Sequence, residues 1–318
     1  MIKESEKYKC HSLIIGGTGQ FGITLKNQLN KKNQKVIITS RFKKSVTKKK
    51  NFEIVTLDVF DKEKISKLIT KYKPQNIFYF SGQSSPSISF IKKRETMRSN
   101  YVGCKNVLNS IYKNNKNINF FNAASSEMYG NINGKISLKT KKNPVNPYGL
   151  SKLKSFNITQ FYRKKHNLKT YNAIIFNTES VLRNKSFLIP KICMAAINAY
   201  KYNLKTAFGN LDIKREWNWC DDQCELLIKF INKKPQDFIL SNGKCLSAKT
   251  MLNYAFKYFG LDYKKFILKD QKFLRPTNIK IKKSKFNESL LKNNIKKKNF
   301  IYGKKMIYLI IKHYLKYL

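Results

Sequence analysis

The sequence predicts an α/β protein: a doubly wound parallel sheet followed by a smaller C-terminal α/β region. Three observations predict it. Short apolar runs alternate with helix-like segments through the first half of the chain, the pattern of repeated strand–helix–strand units. A glycine-spaced turn, IIGGTGQFG, follows the first of those runs and opens a helix. After about residue 180 the alternation loosens into helices with short strands, so a first domain is expected over residues 1–180 and a second over 181–318.

Taken in order, the strand candidates are Ser12–Ile15, Lys35–Ile38, Phe52–Val55, Asn76–Phe80, the run Ile118–Ala123, and Asn172–Phe176. Each is rich in Ile, Val or Phe and short enough to be a buried strand. Between the third and fourth lies a helix over Asp61–Tyr72. Ile65, Leu68 and Ile69 recur there at helical spacing behind Asp61, an N-cap residue type. In the second half Phe238–Leu240 reads as a short strand. Met306–Leu318 reads as a closing helix with one apolar face and interspersed lysines.

Composition narrows the function class. A chain of 318 residues buries a proper core, and no stretch approaches the ~20 apolar residues of a membrane span. Met1–Cys10 is polar and lacks the apolar centre of a secretory leader, so a cytoplasmic location is expected. The six cysteines show no paired framework, and only His11, His166 and His313 are present, so no metal site and no histidine triad are expected. The formal charge is +47, from 65 Lys and Arg against 18 Asp and Glu, which raises the question of a polyanion partner. The lysines are spread in runs such as Lys48–Lys50 and Lys296–Lys298 along the whole chain, and asparagine and isoleucine are also abundant. That reads as AT-rich base composition, and no specific nucleic-acid partner is expected. Seven of the cations are arginine, the residue suited to bidentate phosphate recognition, so their positions carry more information.

The glycine turn is a phosphate cradle. Gly16, Gly19 and Gly22 let the backbone turn tightly and approach a pyrophosphate seated on the helix N-terminus. The segment Ile38-Thr39-Ser40-Arg41 ends the second strand with an arginine and no acid. An acid there would bind a ribose diol, whereas Ser40 and Arg41 suit the extra phosphate of NADP. Asp58, after the third strand, is placed for the adenine amino group, and Ser81 to Gln83, after the fourth, for the middle of the cofactor. The expected architecture is thus Rossmann-type, with NADP as cofactor.

The stretch FFNAASSEMYGN spends one of the scarce carboxylates, Glu127, beside Ser125 and Ser126 at a strand end, where open α/β sheets bind ligands. Downstream, NPYGLSK sets Tyr148 and Lys152 four residues apart on one helical face. A tyrosine of pKa ~10 becomes a base near neutrality only with roughly 4 kcal/mol of differential stabilisation at ~1.36 kcal/mol per unit, which a lysine one turn away and a cationic nicotinamide can supply.

These motifs resemble the extended short-chain dehydrogenase/reductases, and within them the GDP-mannose 4,6-dehydratases. The likeness runs nearly end to end, through Thr18-Gly19-Gln20, Gln83-Ser84, Ser125 to Gly130, Tyr148 with Lys152, Phe176 to Ser180, Gly209 to Asp212, Arg215-Glu216-Trp217 and Arg275-Pro276. The resemblance implies catalytic roles for Ser125, Glu127, Tyr148 and Lys152. Tyr148 would act at the sugar 4-hydroxyl, Ser125 would hydrogen-bond the 4-oxygen, and Glu127 would take the proton on carbon 5. It implies that Gly16, Thr18, Gly19, Gln20, Gly22, Ser40, Arg41, Asp58, Val59, Ser81, Gln83, Lys152 and Arg183 hold NADP. It implies that Ser126, Asn177, Lys191, Arg215 and Arg275 hold the nucleotide sugar, GDP-mannose, and that the chain is a homodimer or homotetramer. Residues 1–180 would then be the NADP-binding domain and 181–318 the nucleotide-sugar-binding region. Departures from the family pattern at Phe21, Thr96, Thr178, Leu182, Asn184, Trp219 and Asp222 bear on sugar and base specificity. A reductase or 4-epimerase of nucleotide sugars would share Tyr148 and Lys152 but needs no base at carbon 5. A non-catalytic nucleic-acid binder would be indifferent to NADP and steeply salt-dependent.

Overall fold

The computed structural model describes residues 10–42, 47–49, 51–132, 134–270, 281–296 and 299–318, which form two compact units. The first comprises the described residues of Met1–Gly130, Leu138–Ile175 and Cys224–Leu240. The second comprises those of Asn131–Ser137, Phe176–Gln223 and Ser241–Leu318.

The first unit carries the sheet. Its strands are β1 (Ser12–Ile15), β2 (Val36–Ser40), β3 (Thr47–Lys49), β4 (Phe52–Thr56), β5 (Asn76–Tyr79), β6 (Asn119–Ser125), β7 (Thr170–Ile175) and β8 (Asp237–Leu240). They lie in the order β8-β7-β6-β5-β1-β2-β4-β3, and every neighbouring pair is parallel except β3 with β4. This is the doubly wound α/β fold expected from the alternation. All four residues of β1 and all five of β2 are buried, so these strands are apolar throughout and do not alternate. The order reverses at β1, leaving a switch point between the carboxyl ends of β1 and β5 where such sheets take ligands.

The helices that matter for the site are α1 (Gln20–Lys31), α2 (Lys62–Tyr72), α3 (Gly103–Asn114) and α4 (Pro147–His166). Asp61 caps α2, its Oδ1 accepting from Lys64 N at 2.8 Å. Leu68 and Ile69 of α2, with Val107 and Ile111 of α3, pack with Leu13, Ile15 and Ile37 in one apolar cluster.

Three differences from the sequence reading have physical causes. β3 falls in a lysine run with no apolar pattern; it joins the end of the sheet by antiparallel backbone pairing with β4, which leaves no apolar signature in the sequence. β6 runs to Ser125, two residues beyond the apolar run, because backbone pairing continues as far as Ser125 opposite Ile175. The boundary expected at residue 180 does not divide the units. β8 pairs with β7 in the first unit, in the register Asp237↔Asn172, whereas Phe176–Ser180 belongs to the second. Asn172 Nδ2 donates to Asp237 Oδ1 at 3.0 Å, and Arg163 forms an ion pair with the same carboxylate. Pairings across such sequence distances leave no local pattern.

The second unit packs the helices Leu188–Tyr202, Ala248–Lys257 and Gly303–Leu315 around Ile192, Ala196, Met251, Leu252, Ile307 and Ile310. A small sheet in it has the strand order Cys245–Ser247, Lys214–Glu216, Ile281–Ser284, Lys135–Ile136. Glu216 is fully buried and ties this sheet to the 241–243 turn. Its carboxylate accepts from Ser284 N (2.6 Å), Ser284 Oγ (2.7 Å), Gly243 N (3.2 Å) and the Ser241 hydroxyl. Hydrogen bonds to a charged acceptor are worth about 1.5–3 kcal/mol each, and stripping that acceptor leaves buried donors unpaired. Glu216→Ala is therefore expected to cost about 3–5 kcal/mol, read as a lower urea midpoint at unchanged m-value. A variant unfolding at the wild-type midpoint would refute the anchor.

Candidate active site

The cradle after β1 has the shape its glycines demand. Gly16 sits at φ +81°, and a Cβ there would meet Ser81 N at 2.6 Å, so the turn after β1 lies directly against the segment after β5. A Cβ on Gly22 would meet Gly17 Cα at 2.4 Å, which is how closely α1 starts against the turn. Gly17 was not picked out by the sequence spacing, yet a Cβ there would strike Ile38 of β2 at 2.4 Å. Gly19 caps α1 without a side-chain acceptor, and the first turn, which holds Gln20, has no acid. Thr18 is exposed beside it. The glycines thus let the turn pack closely on its neighbours and leave the start of α1 without an acid, the features an anion site at a helix N-terminus requires.

Around the cradle, Ser40 ends β2 with 9% of its surface exposed. Arg41 follows, exposed, its guanidinium 4.4 Å from the Phe42 ring centroid. Asp58 is exposed and accepts from Phe60 N at 3.0 Å, whereas Val59 is buried. Ser81 is half-buried. The Gln83 amide is engaged at both ends, donating to Ser85 O (2.7 Å) and accepting from Ser85 N (3.0 Å). Asn100, unmarked in the sequence reading, donates to Gln83 O (3.0 Å) and to Ser151 Oγ (3.0 Å), joining this segment to α4.

The polar strand end is built by β6 and α4. Ser125 closes β6, and its Oγ accepts from Glu127 N at 3.2 Å, starting the short turn Ser126–Tyr129. Ser125, Ser126 and Glu127 are all buried. A Cβ on Gly149 would lie 2.5 Å from Glu127 O, so the first turn of α4 rests on this turn without space for a side chain. Asn146 caps α4, its Oδ1 accepting from Gly149 N (2.7 Å), and its Nδ2 donates to Glu127 Oε2 (2.9 Å). Tyr148 N donates to Ser89 Oγ at 3.1 Å. The Lys152 ammonium lies 5.8 Å from the Tyr148 ring centroid and donates to Ala123 O on β6 at 2.8 Å.

Burial pushes the Lys152 ammonium from 10.5 down to about 8, and the nearby Cys104 thiol opposes this only in part. The arrangement therefore sets, within one unit, a buried carboxylate, a tyrosine and a cation close to losing its proton at neutral pH. These are residue types that proton-transfer chemistry uses. Ser89 and Asn146, which contact Tyr148 N and Glu127, were not singled out in the sequence.

The other expected ligands lie in the second unit. Asn177 is exposed, and its carbonyl accepts from both Asn218 N and Asn218 Nδ2 at 2.8 Å. Arg183 stacks on Phe187 at 3.6 Å and lies 3.9 Å from the Glu179 carboxylate, whose pKa burial pushes up to about 7 against the effect of that arginine. Lys191 donates to Ala207 O at 2.7 Å, its ammonium 4.7 Å from the Phe208 ring centroid. Arg215 is buried and donates to Lys214 O at 2.8 Å. Arg275 lies outside the described residues. Among the described residues no helix is long and apolar enough to cross a membrane, and no cluster of His, Cys, Asp or Glu is suited to a metal ion.

Comparison with known proteins bears on this geometry. The family model described as GDP-mannose 4,6 dehydratase matches residues 13–297. The Drosophila melanogaster GDP-mannose 4,6 dehydratase is 29% identical over 211 residues, 63% of this chain and 52% of that protein; the chain thus matches about half the length of that relative. The human GDP-mannose 4,6 dehydratase is 31% identical over 209 residues, 64% of this chain and 56% of that one. Among solved structures, the Bacillus anthracis dTDP-glucose 4,6-dehydratase in complex with NAD superposes with a TM-score of 0.83 at 17% identity, covering 96% of this chain and 97% of that chain.

Proposed function

The chain belongs to the GDP-mannose 4,6-dehydratase family, and from that premise we propose that it dehydrates a nucleotide hexose, GDP-mannose, to the 4-keto-6-deoxy sugar. The observation that carries this reading is Glu127, a buried carboxylate packed on the first turn of the helix that bears Tyr148 and Lys152. Reduction or epimerisation at carbon 4 needs only the Tyr–Lys pair; elimination also needs a base for carbon 5.

The turn suits a dinucleotide pyrophosphate, since Gly16 and Gly22 let the backbone pack tightly around the N-terminus of α1, whose cap and first turn carry no acid. A nicotinamide cofactor held by this turn would supply the hydride acceptor for carbon 4 and the hydride donor for carbon 6. Tyr148, as phenolate, takes the proton of the 4-hydroxyl. Lys152, one turn away, lowers the cost of that phenolate through its charge. The Ser125 hydroxyl, whose oxygen accepts from Glu127 N, keeps its own proton to donate to the 4-oxygen. With carbon 4 a ketone, the proton on carbon 5 becomes acidic. Glu127 removes it and delivers it to the departing 6-hydroxyl, so the lost atoms leave as water. When carbon 6 has received hydride, carbon 5 takes up the proton that Tyr148 accepted, directly or through solvent, and the phenolate is restored. Asn177, Lys191, Arg215 and Arg275 serve the nucleotide diphosphate, where guanidinium forks match phosphate oxygens.

NADP is the cofactor we propose, because β2 ends at Ser40 and Arg41 follows it, with no acid to meet a ribose diol. Arg41→Ala is expected to weaken NADP binding about 10–100-fold, the worth of one charge-assisted contact, while NAD binding stays within error by calorimetry. Equal losses for both cofactors would remove Arg41 from the phosphate.

Incubation with GDP-mannose and catalytic NADP, followed by proton NMR, tests the function. A new methyl doublet with loss of the carbon 6 hydroxymethyl signals is the expected result. Untouched GDP-mannose beside bound NADP, or stoichiometric consumption of NADPH, would overturn it.

A further inference from the structure

We infer that Asn146 is a positioning residue that holds Glu127 as a proton acceptor and ties it to the helix carrying Tyr148 and Lys152. The inference deepens the function proposed above and rests on it. Asn146 is buried and both ends of its amide are engaged: Oδ1 with Gly149 N at 2.7 Å, Nδ2 with Glu127 Oε2 at 2.9 Å. A backbone N–H can only donate, so Gly149 decides which end of the amide faces the helix. The NH₂ end is left for Glu127, and an NH₂ group cannot accept. The carboxyl oxygen it meets must therefore be an acceptor, which favours the carboxylate, the form a base requires.

Helix capping does not by itself call for asparagine here. Aspartate and serine cap about as well. Among these three, only asparagine offers an acceptor to Gly149 and a donor reaching Glu127. Position 147 is proline, with its fixed φ, and Tyr148 follows, so the amide that holds Glu127 is joined to the tyrosine through a stiff segment. Beside the backbone packing of Gly149 on Glu127 O, this side chain, which touches no reacting atom, thereby helps set the separation between the carbon 5 base and the Tyr–Lys pair.

The test uses two substitutions that keep the cap. Asn146→Asp replaces the donor by an acceptor, and Asn146→Ser leaves a hydroxyl too short to reach Glu127. Both are expected to fold with wild-type circular dichroism and to melt at a lower temperature, because each takes a buried donor from Glu127. Their kcat for water elimination should fall about 100-fold, the cost of a misplaced catalytic group, with KM little changed. Reduced cofactor should accumulate, because oxidation at carbon 4 proceeds without Glu127. Either variant eliminating water within about threefold of wild type would overturn the proposal. A second readout needs no activity. In protein labelled with carbon-13 at the glutamate carboxyls, the Glu127 resonance is the one missing from Glu127→Gln. It should move well beyond the other glutamates in both variants, and an unmoved resonance overturns the contact itself. A moved resonance in a protein whose wild type makes no product would overturn the dehydratase reading and the positioning role, and leave the contact standing.

Discussion

Glu127→Gln is expected to abolish water elimination, lowering product formation by about 10²–10⁴-fold, while reduced cofactor appears on mixing with substrate. The substitution is nearly isosteric, and the introduced amide oxygen can still accept from Asn146 Nδ2, so the turn after β6 keeps its anchor. What disappears is a group able to take the carbon 5 proton. Tyr148 and Lys152 are untouched, so oxidation at carbon 4 continues and the reaction stops at the ketone. The two observables separate the rival readings. A 4-epimerase or a reductase would keep most of its turnover in this variant, and retained elimination would remove Glu127 from the mechanism. Stopped-flow absorbance of the reduced nicotinamide together with NMR of the sugar reads both in one experiment.

Lys152→Met should lose at least about 10²-fold in rate and yet gain stability below pH 8. The ammonium is buried, donates to Ala123 O, and is pushed from 10.5 to about 8 by burial. Below about 8 it is charged in both the folded and the unfolded chain, and the whole cost of burying it is present. Between about 8 and 10.5 the folded chain binds fewer protons than the unfolded one, so wild-type stability rises with pH across that window. The shift corresponds to about 3 kcal/mol, from which the lost hydrogen bond to Ala123 subtracts about 1 kcal/mol. Methionine of similar length fills the space with no charge to desolvate, so denaturation midpoints should show a variant about 2 kcal/mol more stable at neutral pH, without the alkaline rise. A destabilised variant with the same pH slope would show that Lys152 is not buried at a cost.

Much of the first unit was legible because its signals are local. The apolar runs of β1, β2, β4 and β5 announce themselves by side-chain type, Asp61 by its place ahead of a helical period, and Tyr148 with Lys152 by a four-residue spacing on one helix. Gly16 and Gly22 were legible because a tight turn admits nothing larger. β8 was read as a strand but not as part of this sheet, since its partner lies some 65 residues away in register. β3, a lysine-rich edge, carried no pattern at all. Glu216 stood in a motif, but its donors at 241, 243 and 284 were out of reach of any local reading.

The sequence by itself determined the fold class, the glycine turn after the first strand and the residue types of the proposed centre, because each follows from periodicity or from the sterics and charge of a few neighbouring residues. Only the tertiary structure decided which side chain holds which. It interleaved the two units across the expected boundary, buried Lys152 enough to bring its proton close to leaving, and turned the Asn146 amide toward Glu127. Those outcomes depend on desolvation and on hydrogen-bond direction between segments that become neighbours only when the chain folds.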